Sequence, residues 1–209
     1  MSFRKEIKST LNKSKLNRLL KWIKDKGGEI LYPERLINSV YFDNSNLNMY
    51  HESVEGILPR KKIRLRRYDN HELLKNFENN SVLEYKISSV EGRFKISKKK
   101  FKVRDKRLLF IDKDYGTCEP KLNITYKRSY YKLNNIRLTI DKEIAYKRIK
   151  YSKILPYVIK DNLNVVELKF KDETFEKDFL NFFPFQFARF SKYCRGIEFT
   201  QKKLCDEII

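Results

Sequence analysis

The chain has 209 residues, with 47 Lys and Arg against 27 Asp and Glu, a formal charge of +20. That length allows one sizeable core, and that charge points to an anionic partner: a phosphate chain, nucleic acid or an acidic membrane surface. Cys118, Cys194 and Cys205 form no C-x-x-C pair and His51 and His71 are the only imidazoles, which argues against a zinc site or a disulfide framework and for a reducing cytoplasm. No apolar run approaches the ~20 residues of a membrane span, and M-S-F-R-K at the start carries no apolar leader. The expectation is a soluble, cytoplasmic protein.

In chain order, residues 3–8 alternate, with Arg4, Glu6 and Lys8 opposite Phe3, Lys5 and Ile7, as in a short strand. Leu16, Leu19, Leu20 and Ile23 then recur at helical spacing, with Asn12 or Ser14 to cap the helix and Gly27-Gly28 to end it. S-V-Y-F-D at 39–43 reads as a strand with Ser39, Tyr41 and Asp43 on one face, and 44–48 as its turn.

The run R-K-K-I-R-L-R-R-Y at 60–68 is the most charged. As a strand it places Arg60, Lys62, Arg64 and Arg66 on one face and Ile63 and Leu65 on the other. Two unit charges about 4 Å apart repel by roughly 4 kcal/mol at an effective dielectric of about 20, so this face is either solvated or a polyanion site. A polar loop at 69–80 leads to V-L-E-Y-K-I at 82–87, where Glu84 and Lys86 oppose Leu83, Tyr85 and Ile87. Gly92 precedes 93–99, where Arg93, Lys95, Ser97 and Lys99 oppose Phe94 and Ile96; the cations at 98–102 are equally consistent with a solvated edge.

Residues 112–116 read as a turn, and Pro120-Lys121 introduces a strand at 123–131 with Arg128 on the side of Ile124, Tyr126 and Tyr130. In 136–140, Arg137, Thr139 and Asp141 oppose Ile136, Leu138 and Ile140; in 165–170, Glu167 and Lys169 oppose Val166, Leu168 and Phe170. Phe175, Phe179, Phe182 and Phe183 mark a helix of core aromatics that Pro184 stops. F-S-K-Y-C-R at 190–195 follows, and the last residues read as a frayed tail. Without repeats or linkers, about eight strands and two to four helices make one α+β domain over 1–209, its core at about 3–200.

Seven strands thus carry one charged and one apolar face. Either the charged faces look outward around a sandwich core, or the sheet closes with charged faces inward and helices cover part of the outside. Glu6, Glu84, Asp141 and Glu167 share faces with Lys8, Lys86, Arg137 and Lys169; inward, such pairs neutralise one another and offer hard oxygen ligands for Mg²⁺ or Mn²⁺. The six glycines form no G-x-G-x-x-G or P-loop, and no G-x-S-x-G is present, so any phosphate grip comes from side chains and acyl chemistry has no support.

R-K-E-I-K at Arg4, S-V-Y-F-D at Ser39, K-I-R-L-R-R-Y at Lys62, L-E-Y-K at Leu83, Y-K-R-S-Y at Tyr126, R-L-T-I-D at Arg137, V-E-L-K at Val166 and F-S-K-Y at Phe190 come in that order. Together they resemble the VTC-type polyphosphate polymerase domain, of the triphosphate tunnel metalloenzyme and CYTH-like superfamily. The resemblance implies an antiparallel closed β-barrel, a triphosphate tunnel of about eight strands with flanking helices and basic residues inward. It implies phosphate binding by Lys8, Lys62, Arg64, Arg66, Lys86, Arg93, Lys95, Arg128, Arg137, Lys169 and Lys192, metal binding by Glu167, and catalysis by Arg64, Arg66, Lys192 and Glu167. The implied reaction is Mn²⁺- or Mg²⁺-dependent transfer of the ATP γ-phosphoryl group to phosphate, pyrophosphate or a growing polyphosphate chain. Hydrolytic relatives usually begin with E-x-E-x-K, whereas Arg4 holds the first acidic place here, which favours the polymerase branch. The alternatives are a tunnel triphosphatase and a non-catalytic barrel for polyphosphate or nucleic acid; nucleic acid is not expected, because the carboxylates would repel its backbone.

Overall fold

Asn12 ends one strand and starts a helix. Its side chain accepts the Lys15 N–H at 2.9 Å, capping α1 (Lys13–Asp25) directly after β1 (Glu6–Leu11). Gly27 follows at a φ of +72°, and a side chain on Gly28 would lie 2.9 Å from the Ile23 carbonyl oxygen, so the glycine pair ends α1 as expected. These elements open the computed structural model, which describes residues 6–68, 81–98, 108–170, 179 and 181–206. Phe3, Arg4, Lys5, the 69–80 loop, residues 99–102 of the 98–102 run and Phe175 lie outside the described residues.

The remaining elements are β2 (Glu29–Asp43), α2 (Asn48–Glu55), β3 (Arg60–Arg67), β4 (Val82–Ser88), β5 (Arg93–Lys98), β6 (Phe110–Asp112), β7 (Gly116–Leu133), β8 (Ile136–Lys150), β9 (Lys153–Ile154), β10 (Ile159–Lys160), β11 (Asn164–Lys169) and α3 (Lys192–Asp206). The main strand order is β1-β11-β8-β7-β2-β3-β4-β5, with β6 on β7 and β9 and β10 on β8. Every pairing whose register is defined is antiparallel. The α+β antiparallel fold of about eight principal strands with a few helices therefore stands.

The chain forms two compact units. The first comprises Met1–Leu36, Tyr126–Ile144 and Lys160–Phe190. Its core sets Leu16, Leu19 and Ile23 of α1 with Ile136, Leu138 and Ile140 of β8 and Val166 and Leu168 of β11, and Trp22 meets Phe179 and Phe183 edge-on. The second comprises Ile37–Thr125, Ala145–Ile159 and Ser191–Ile209. There Val40, Phe42, Ile63, Leu65 and Leu83 pack with Met49 of α2, Cys118 and Ile149. In each unit helices pack on apolar strand faces while some charged residues of the other face are buried, Arg64, Arg66 and Glu84 in the second and Asp141 and Glu167 in the first, which excludes the solvated-face reading of Arg64 and Arg66.

The 44–48 turn is present, with the Leu47 N–H donating to the Asn44 carbonyl at 3.2 Å, and it leads into α2, whose Met49 and Tyr50 N–H groups donate to the two carboxylate oxygens of Asp43 at 3.1 and 3.0 Å. Three local expectations are corrected. Pro120 lies inside β7 rather than before a strand. The supposed tail is α3, whose Gly196 fits where an added Cβ would come within 2.6 Å of Leu122 and Tyr146. Phe182 is 69% exposed, so it does not join Phe179 and Phe183 in the core. No helix among the described residues is long and apolar enough to cross a membrane.

Candidate functional site

In the second unit the register of β3, β4 and β5 turns the sequence pattern into a surface. Arg64 pairs with Glu84 and Glu84 with Ser97; Lys62 pairs with Lys86 and Lys86 with Lys95; Arg60 pairs with Ser88 and Ser88 with Arg93. Residues opposite one another in a ladder share a face, so Arg60, Lys62, Arg64, Arg66, Lys86, Arg93 and Lys95 lie together with Glu84 as the one acid of the three strands. Arg64, Arg66 and Glu84 are buried.

Glu84 is the counter-ion that lets this face fold. Arg64 donates to it through Nε at 2.6 Å, Lys95 Nζ lies 2.9 Å away and Arg66 3.6 Å. Burial raises the Glu84 carboxyl, but the charges of Arg64, Arg66 and Lys95 outweigh it and hold the group well below the usual carboxylate range. Arg64 also donates to the Tyr41 hydroxyl at 3.0 Å, and Arg66 to Ser39 at 3.4 Å. Burial opposes ionisation of Tyr41, yet Arg64, Arg66 and Lys192 bring its hydroxyl below the usual phenol range.

Lys192 opens α3, and its neighbour Tyr193 fixes it there. Tyr193 stacks on Tyr41, 5.2 Å between centroids, and donates to Asp43 at 2.5 Å. Asp43 therefore anchors α3 as well as α2. Tyr193 and this use of Asp43 escaped the sequence reading; Asp43 preceding an unrecognised helix was the available signal.

In the first unit, Lys8 pairs with Glu167 and Glu167 with Thr139, beside the row Glu6, Lys169, Arg137. Lys169 Nζ lies 2.9 Å from Glu167 and 3.6 Å from Glu6, and Lys8 lies 3.4 Å from Glu6. Asp141 is fully buried and takes Arg128 in a bidentate pair at 2.5 and 2.7 Å, so its partner stands on β7 and is not Arg137, as face-sharing on one strand suggested. Arg128 also reaches Glu167 at 4.0 Å. Burial would lower the pKa of Arg128, but Tyr126, Asp141 and Glu167 raise it well above its ordinary value.

The sequence-predicted strand residues thus fall on two charged faces, Lys62, Arg64, Arg66, Lys86, Arg93 and Lys95 in one unit and Lys8, Arg128, Arg137, Glu167 and Lys169 in the other, while Lys192 stands at the start of α3 in the unit of the former. The donor set of the first unit suits a hard divalent ion. Among the described residues no three His, Cys, Asp or Glu cluster to cage one. Yet Glu167 is buried, and across from it the Thr139 hydroxyl is buried without a hydrogen-bond partner. One carboxylate plus substrate phosphates and water is the usual Mg²⁺ arrangement, and an orphaned hydroxyl beside it calls for a polar ligand.

A cavity of about 750 Å³ is lined by Arg60, Lys61, Tyr85, Lys98, Asp112 and Asp114 among others, and Arg64, Arg66, Glu84 and Lys192 are not in its lining. Lys61 there pairs with Asp112 at 2.8 Å and Asp114 at 2.7 Å.

The sequence profile described as the VTC domain matches residues 3–114 and 108–201. Among solved structures, a proposed adenylate cyclase from Bacillus halodurans is similar at 12% identity and a TM-score of 0.56, over 91% of this chain and 94% of that one. The PH1819 protein of Pyrococcus horikoshii is similar at 14% identity and a TM-score of 0.53, over 94% and 99%. Both likenesses concern the fold alone. No curated protein sequence matches the chain.

Proposed function

Because the chain belongs to the VTC domain family, we propose that it is a divalent-metal-dependent ATP–polyphosphate phosphotransferase. The carrying observation is the face of β3–β5, where seven cations share one side with the single carboxylate Glu84 and two of them, Arg64 and Arg66, are buried. Such a face has charge to spare for a polyanion.

In this reading Lys62, Arg64, Arg66, Lys86, Arg93, Lys95 and Lys192 bind phosphate oxygens, as do Lys8, Arg128, Arg137 and Lys169. Arg64, Arg66 and Lys192 oppose the charge on the transferring phosphoryl group. An oxygen of the acceptor phosphate attacks the γ-phosphorus, a new P–O–P linkage forms, and the bond to ADP breaks. The attacking oxygen is largely deprotonated near neutral pH, so positioning and charge suffice without a strong base. Glu167, with the Thr139 hydroxyl beside it, would hold Mn²⁺ or Mg²⁺, which supplies further neutralisation of phosphate charge. Arg4 in the first acidic place of the hydrolytic E-x-E-x-K pattern favours transfer to phosphate over transfer to water.

Phosphorus NMR tests this directly. Protein with ATP, Mn²⁺ or Mg²⁺ and pyrophosphate should build a mid-chain phosphate resonance as ADP appears. Orthophosphate without chain growth would replace the reading with a triphosphatase.

A further inference from the structure

Tyr32 and Tyr130 meet edge to face, 5.7 Å between centroids and 84° between planes. Two guanidiniums stand over the same pair: Arg35 at 5.6 and 5.8 Å, Arg137 at 5.8 and 5.5 Å. Glu34, the adjacent acid, is occupied by Lys142 at 2.7 Å and Ser129 at 2.7 Å. Neither Arg35 nor Arg137 has an ion-pair partner among the described residues. Arg35, Arg137 and Tyr32, which keeps 44% of its surface exposed, are all open to solvent, so an anion and a planar group can both reach this pair.

The backbone is shaped to build this box. Tyr32 and Arg35 are three apart, which a regular strand would put on opposite faces. Successive residues of β7 also face opposite ways, yet Tyr32 meets Tyr130 while Glu34 meets Ser129. The alternation of β2 therefore shifts at Pro33, bringing Tyr32 and Arg35 to one face. Arg137 continues the box into the phosphate face, since it pairs with Lys169, whose ammonium touches Glu167.

Resting on the phosphoryl-transfer reading above, we propose that Tyr32, Arg35 and Arg137 form the subsite for the base and nearest phosphate of a nucleoside triphosphate, whose remaining phosphates extend toward Lys169 and Glu167. The exposed Tyr32 ring and the Arg35 plane stack on the base; the uncompensated guanidiniums take the phosphate. Stacking is tolerant of base identity. Inorganic polyphosphate has no planar group and makes no use of Tyr32.

The test measures ATP, GTP and tripolyphosphate affinities by calorimetry for the unaltered protein, Tyr32→Ala and Tyr32→Trp. Tyr32→Ala should weaken both nucleotides by roughly tenfold or more, leave tripolyphosphate within about twofold, and Tyr32→Trp should restore nucleotide binding. Undiminished nucleotide binding by Tyr32→Ala, or equal loss for tripolyphosphate, would overturn the subsite while leaving the phosphate site standing. If the unaltered protein binds none of the three, the phosphotransferase reading falls and the subsite with it.

Discussion

Glu84 shows how one side chain decides whether a cationic strand can be buried. Removing one partner of a buried ion cluster leaves uncompensated charge, at a cost of about 3–5 kcal/mol. Glu84→Gln should therefore lower stability at neutral pH by about that amount in urea unfolding, and tripolyphosphate should narrow the gap by giving Arg64 and Arg66 another anion. The depressed carboxyl also sets a pH dependence. Folding favours its ionised form, so its contribution is present above the ordinary value of 4.5 and is lost as the pH falls below it. The stability difference between the unaltered protein and Glu84→Gln should accordingly shrink on acidification from pH 5 to pH 3; a constant difference would show that Glu84 is not the counter-ion of Arg64 and Arg66.

Among the elements, α3 depends on a hydroxyl. Tyr193→Phe keeps the stack on Tyr41 but deletes the bond to Asp43, and hydrogen bonds to charged groups contribute about 1.5–3 kcal/mol. Thermal melts should show a loss of that order, with weaker tripolyphosphate binding because Lys192 begins the same helix. Unchanged affinity would separate Lys192 from the site. The elements also show what sequence can reveal. Arg60–Arg67 and Val82–Ser88 were legible because one apolar face alternates with one charged face. Residues 29–36 of β2 were not, since they are mostly exposed and broken by Pro33, so burial imposes no alternation. Period two names a side chain's face but not its neighbour: that Glu84 holds Arg64, or Asp141 holds Arg128, follows from register. The Tyr193–Asp43 bond joins residues 150 positions apart, beyond any local pattern. The charged faces of the candidate site were thus readable, whereas its ion pairs, its orphaned Thr139 and the Tyr32 box were not.

At the scale of the whole molecule, a charge of +20 works against compactness. A polyanion that binds only the folded chain relieves that repulsion and stabilises by mass action, about 2.7 kcal/mol at a hundredfold excess over Kd. For a protein of this size that corresponds to a Tm rise on the order of 5–10 °C. Scanning calorimetry with tripolyphosphate at low salt should show it, and added salt should diminish it through screening. No shift at millimolar tripolyphosphate would count against both charged faces as phosphate sites.

The anchoring of Lys192 by Tyr193 and Asp43 also sets an order of events during synthesis. Every other cation assigned to the phosphate faces is translated before Lys192, and the stack that seats it cannot form until α3 has left the ribosome. A nascent chain can thus pair strands and bury Glu84 while its complement for phosphate is still one helix short. Competence to handle a polyanion arrives late, after the sheet that carries it has had time to form.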